Sequence, residues 1–216
     1  MRITFAVLAV TTGVHLAAQL IEPDGSVAST TQVALMPLLL IALLTGTKTP
    51  RGRLVVLVLI ALGFSWAGDT LPRFFTGDTG FLAMVAGFLV AQVFYIAAFT
   101  PYWRRSYLKR PVMLVPYAVA LTILIILCYE DAGTLLAPVV IYGVALATMA
   151  VLATGLGRIA GVGGAVFFIS DSLIALRAFA DIELPGHSFW VMLTYVLGQA
   201  LLVVAVRNHA SSQVAA

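Results

Sequence analysis

The chain has 216 residues, of which 62% are hydrophobic and only 10% charged. Soluble domains run about 45–50% apolar and about 25% charged, so this composition excludes a globular domain on an anchor and points to a polytopic membrane protein. The single cysteine, Cys128, excludes an internal disulfide, and the net charge of +3 argues for no nucleic-acid partner because topology accounts for the basic residues.

A membrane-crossing helix needs roughly 20 apolar residues, with about 17–25 allowed. Eight runs qualify, at 3–20, 30–47, 54–72, 80–99, 111–129, 134–155, 161–181 and 187–206. The first resembles a signal peptide but lacks a small-x-small cleavage site, and His15 and Gln19 stand where cleavage features belong. It is read as the first span, with Thr11, His15 and Gln19 on one face. Glu22-Pro23-Asp24-Gly25 breaks the chain before span two, and the segment 48–53 breaks it again.

Span three carries a polar cargo in 62–74, LGFSWAGDTLPRF. Ser65, Asp69 and Arg73 are four residues apart and share one helix face, and Pro72 ends or kinks the helix there. Span four holds Gln92 and Tyr95. Cys128 in span five and Tyr142 and Met149 in span six read as packing. The glycines of 155–164 follow no strand, so they read as close helix contacts rather than a phosphate loop. Span seven repeats the cargo in 166–179, VFFISDSLIALRAF, with Ser170, Asp171, Ser172 and Arg177. Arg177 and Asp181, four apart, are expected to pair at the outer mouth. Span eight holds Tyr195 and Gln199.

Placing the N-terminus in the cytoplasm puts ten of the twelve basic residues inside: Arg2, Lys48, Arg51, Arg53, Arg104, Arg105, Lys109, Arg110, Arg158 and Arg207. Only Arg73 and Arg177 fall outward, and all nine acids lie within the membrane or beyond it. This is the positive-inside pattern, and its alternation over seven loops also supports eight spans. The fold expected is an all-α transmembrane bundle of eight helices with both termini cytoplasmic, in a bacterial inner membrane.

Spans three and seven run in the same direction. Gly68-Asp69-Thr70-Leu71 echoes Ser170-Asp171-Ser172-Leu173, and Gln92 with Tyr95 is echoed by Tyr195 with Gln199. The single membrane domain, 1–216, is thus expected to be a 4+4 duplication with halves 1–107 and 108–216, related by an axis along the membrane normal. Asp69 is 16 residues beyond Arg53, and Asp171 is 13 beyond Arg158. At 1.5 Å per residue these are roughly 24 and 20 Å from the basic girdle. Both acids then lie between the midplane and the outer interface.

Ionised groups at that depth are costly and commonly functional. Asp69 and Asp171 either meet in one working site or pair separately with arginines as helix glue. Arg73 and Arg177 either hold an anionic head group, whose phosphate matches the guanidinium fork, or neutralise the acids. His15 reads as a packed hydrogen-bonder. Gln92, Tyr95, Tyr195 and Gln199 read as interhelical hydrogen-bonders that also flank the site. With Ser65 and Ser170 they complete the candidate substrate-binding set. No triad, nucleophile elbow or zinc signature occurs.

Several of these pieces occur together in a known family. Met36-Pro37-Leu38-Leu39, Phe64-Ser65 with Gly68-Asp69, Tyr142 and Met149, Gly164-Ala165, Phe168-Ile169-Ser170-Asp171-Ser172-Leu173, and Leu193-Thr194-Tyr195 with Gln199 make the chain resemble the lysoplasmalogenase family, the YhhN-type membrane proteins. The sequence departs from that pattern at Gln92, where many relatives have His, and at Gln32-Val33, where they have Lys-Pro. The resemblance implies eight spans and two intramembrane acids, here Asp69 and Asp171. It also implies hydrolysis of the vinyl-ether bond of a lysoplasmalogen to a fatty aldehyde and a glycerophospho-alcohol. That chemistry needs one protonated acid and one carboxylate, and two neighbouring carboxylates do not easily ionise together. No metal or cofactor is called for, and the expected partner is a membrane lipid or lysophospholipid. Competing readings are a small proton-coupled transporter, which needs a polar path to both faces, and a non-catalytic lipid-binding protein.

Overall fold

The computed structural model describes residues 2–214. Among them are eight helices long and apolar enough to cross a membrane. Their α-helical segments are α1 (Arg2–Ile21), α2 (Ser26–Gly46), α3 (Arg53–Thr70), α4 (Gly77–Phe99), α5 (Val115–Cys128), α6 (Leu136–Ala153), α7 (Arg158–Ala180) and α8 (His187–Val214), and 3-10 turns extend several of them, so that the fifth span runs Pro111–Cys128. The fold is all-helical, and the protein is an integral membrane protein.

The helix ends follow local chemistry. Gly25 and Gly52 precede α2 and α3, and α2 starts four residues before the apolar run suggested. Pro72 lacks an amide hydrogen, so α3 stops at Thr70 and gives way to a 3-10 turn, Leu71–Phe74. Pro111–Leu114 is likewise a 3-10 turn, leaving α5 only 14 residues long. Gly157, with φ of 114°, makes the reversal from α6 into α7 in a conformation that suits glycine.

Pro37 lies inside α2. It cannot donate to the carbonyl four residues earlier, that of Val33. The Trp66 indole Nε1 of α3 donates to that carbonyl instead, at 3.1 Å. A proline that would leave an orphan acceptor in lipid thus becomes an interhelical tie.

Between helices in lipid, association rests on close packing rather than on water exclusion. The broadest contacts are α3 with α4 and α7 with α8, and each pair meets at two glycines. A Cβ on Gly87 would lie 2.6 Å from the Gly68 nitrogen, and one on Gly198 would lie 2.8 Å from the Phe167 nitrogen and 3.0 Å from the Gly163 oxygen. Backbones therefore touch where side chains would hold them apart. Around these seams pack Leu35, Leu39, Leu62, Phe99, Phe167 and Leu202, all fully buried.

α8 also packs on α1, α2 and α3, and α4 packs on α6. The halves of the chain therefore interlock. By contrast α5 sits at the periphery against α6 and α7, with Cys128 its one buried residue; the thiol is within 3.6 Å of the Ala175 carbonyl oxygen. Its apolar faces, including Ile123 and Ile126, are exposed as lipid contact requires.

Candidate functional site

The Gly68–Gly87 seam brings α4 against the outer end of α3, and Asp69 is the residue after that seam. Tyr195 of α8 donates its hydroxyl to Asp69 Oδ2 at 2.7 Å. Gln32 of α2 approaches Oδ1 at 3.4 Å through its amide nitrogen. Arg73 stands on the 3-10 turn. Its Nε points to the Asp69 backbone oxygen at 3.4 Å, Nη2 to Gln32 Oε1 at 3.3 Å, and Nη1 bonds Ser29. The guanidinium thus reaches the Asp69 carboxyl group through Gln32 rather than by a direct ion pair.

Asp171 on α7 has a different setting. The Tyr142 hydroxyl of α6 donates to its Oδ2. The neighbouring Ser170 hydroxyl donates to the Val191 carbonyl at 3.0 Å, tying α7 to α8. Arg177, two turns further out, bonds Glu183 at 2.6 Å instead of Asp171.

Asp69 and Asp171 line one cavity of about 340 Å³, together with Gln32, Arg73, Ser170 and Tyr195. Met84, Phe88, Ile174 and Met192 supply apolar wall. A second hollow of about 460 Å³ adjoins it, sharing Gln32, Met84, Ile174, Val191 and Met192. That outer hollow also carries Asp24, Arg177 and His187, so the acids face a vestibule at the acidic end of the bundle. Among the described residues no three His, Cys, Asp or Glu side chains gather where a metal ion would be held.

The sequence-selected residues divide into two sets. Asp69, Arg73, Ser170, Asp171 and Tyr195 share the cavity, and Arg177 lies in its vestibule. Ser65, Tyr95 and Gln199 lie deeper and form a buried chain. In it the Tyr95 hydroxyl donates to Gln199 Oε1 at 2.6 Å, and Gln199 Nε2 donates to Ser65 at 3.1 Å. Gln92 is fully buried with neither amide atom hydrogen-bonded. None of these four is on the cavity wall.

One expected contact is replaced. Arg177 does not pair with Asp181; Asp181 ends α7 in the left-handed region at φ 51°, and the turn it makes carries Glu183 back to the guanidinium. Two contributors were not selected from the sequence. Tyr142 read as core, and Gln32 stood out only as a departure from relatives. The available signal was the same for both: one polar side chain inside an apolar span, which in lipid must find a partner. His15 is a packed hydrogen-bonder, with Nδ1 2.8 Å from Thr31 Oγ1 and Nε2 3.3 Å from Gln19 Nε2.

A family model described as the YhhN family matches residues 27–206. No curated protein and no solved structure matches the chain.

Proposed function

Since the chain belongs to the YhhN family, we propose that it is a membrane-embedded hydrolase of lysoplasmalogen-type ether lipids, with Asp69 and Asp171 as its acid–base pair. The observation that carries this reading is that both carboxyl groups line one cavity and each receives a tyrosine hydroxyl. Two helix-glue acids would sit in separate dry contacts instead.

The two acids differ in their neighbours, and the difference suits two roles. Asp69 has Gln32, Tyr195 and the nearby Arg73 cation, which favour a carboxylate. Asp171 has the Tyr142 hydroxyl and no ion pair among the described residues, and in this reading it is the proton donor. The reaction then runs as an acid–base cycle. Asp171 gives its proton to the vinyl carbon remote from the ether oxygen, and the other vinyl carbon becomes an oxocarbenium ion. Water adds to that carbon while Asp69 takes its proton. The hemiacetal collapses, its hydroxyl proton passing to the glycerol oxygen as the carbon–oxygen bond to glycerol breaks, and fatty aldehyde and glycerophospho-alcohol leave. One proton transfer from Asp69 back to Asp171 restores the start. Arg177 at the vestibule suits a phosphate head group, and the apolar wall of Met84, Phe88 and Ile174 suits a single acyl-type chain.

A transporter would need polar groups continuing to the other face. The polar chain below the acids ends at Tyr95, whose ring stacks on the fully buried Phe99. That dead end favours a closed reaction chamber. The test is aldehyde release by purified protein given a lysoplasmalogen and, separately, the saturated alkyl-ether lysolipid of the same chain length. Release from the vinyl ether alone is expected. Equal inertness towards both, in protein that is folded and monodisperse, would overturn the reading.

A further inference from the structure

The end of the bundle opposite the two aspartates contains a larger hollow, of about 790 Å³. It lies between the link joining α2 to α3, the start of α3, the end of α4 and the last turns of α8. Three cationic residues line it, Lys48, Arg51 and Arg53. Among the described residues no Asp or Glu side chain lines the hollow to offset these cations.

The cations are also arranged. Arg51 is held against the carbonyl end of α2, with Nη2 donating to the Leu44 oxygen at 2.9 Å and Nε to Thr47 Oγ1 at 3.2 Å. Lys48 and Arg53 have no ion-pair partner among the described residues. Gly52 gives α3 no side-chain cap, so the positive end of an 18-residue helix faces the same hollow. Ala98, Pro101 and Tyr102 form a mostly apolar opposite wall. Topology alone asks only for positive charge on this face, not for a concavity. Arg104 and Lys109, on the same face, instead rest against the Trp103 ring at 5.6 and 4.9 Å, outside the hollow.

We propose that this hollow is a second binding site, separate from the aspartate cavity, which takes a phosphate-bearing anion. The apolar wall beside the cations favours the head group of an anionic phospholipid from the adjacent leaflet, with its glycerol against Pro101 and Tyr102. Its phosphate would bridge the α2–α3 link to the end of α8, clamping elements that come from the two ends of the chain.

Native mass spectrometry of the purified full-length protein tests this, with phosphatidylglycerol in one arm and soluble glycerol 1-phosphate in the other. Wild type is expected to retain one anion per chain. Lys48→Gln with Arg53→Gln should weaken binding on the order of thirtyfold, and Arg104→Gln with Lys109→Gln should leave it within about twofold. Ser211→Glu keeps every basic residue, so topology is untouched, yet it sets an acid in the wall of the hollow and should weaken binding comparably. Retention of the lipid alone identifies a head-group site; competition by glycerol 1-phosphate identifies a site for the phosphate itself. Failure of both to bind, or equal weakening by the two double variants, overturns the proposal.

Discussion

Removing the Trp66 indole nitrogen tests how α2 and α3 are joined. Pro37 cannot give the Val33 carbonyl its usual donor four residues on, and the Trp66 indole nitrogen donates to it instead, at 3.1 Å. An unsatisfied buried acceptor costs about 1–3 kcal/mol, whereas interhelical hydrogen bonds in membranes average about 0.6 kcal/mol. Trp66→Phe should therefore cost about 1 kcal/mol beyond its lost packing. Pro37→Ala provides the separation. Alanine at that position has an amide hydrogen, so Val33 regains a partner inside α2, and Trp66→Phe in that background should cost packing alone. Reversible unfolding in mixed micelles of the four proteins of this double-mutant cycle should give a coupling of about 1 kcal/mol. Equal losses in both backgrounds would refute the compensation argument.

Gly87→Ala puts a methyl group 2.6 Å from the Gly68 nitrogen, so α3 and α4 must separate. Thermal unfolding should show about 1–3 kcal/mol of overpacking loss, with a loss of aldehyde release because Asp69 moves with Gly68. Tyr142→Phe and Tyr195→Phe each remove the tyrosine donor of one aspartate. Tyr195 bonds the Asp69 carboxylate, and Tyr142 the carboxylate that forms on Asp171 as it gives up its proton. Hydrogen bonds to charged groups contribute about 1.5–3 kcal/mol, so steady-state aldehyde assays should find kcat lowered about ten- to a hundredfold. Arg177→Gln breaks an ion pair whose side chains are 54% and 50% exposed. Its stability cost should stay under about 1 kcal/mol, while KM for a phosphate-bearing lysolipid rises and kcat holds.

The bundle was legible because lipid enforces a simple rule. Each span must be long, apolar and bounded by charge or Pro/Gly, and eight runs met it within a few residues. Asp69, Asp171 and Arg73 were legible for the converse reason, since charge inside such runs is conspicuous. Partnership was less legible. Spacing by four finds neighbours on one helix, so it suggested Arg177 with Asp181, but the left-handed turn at Asp181 put Glu183 there instead. The contacts of Gln32 and Tyr142 cross between helices and depend on which faces meet, which one-dimensional spacing does not specify. The same limit applies to Ser65, Tyr95 and Gln199, which are polar and buried but satisfy one another below the cavity.

Asp69→Asn and Asp171→Asn, assayed for aldehyde release from a lysoplasmalogen and checked for unchanged thermal unfolding, bear most directly on the paired acids. Both variants should fold and neither should turn over. Near wild-type release from either one would contradict the assignment of that carboxyl group to the chemistry.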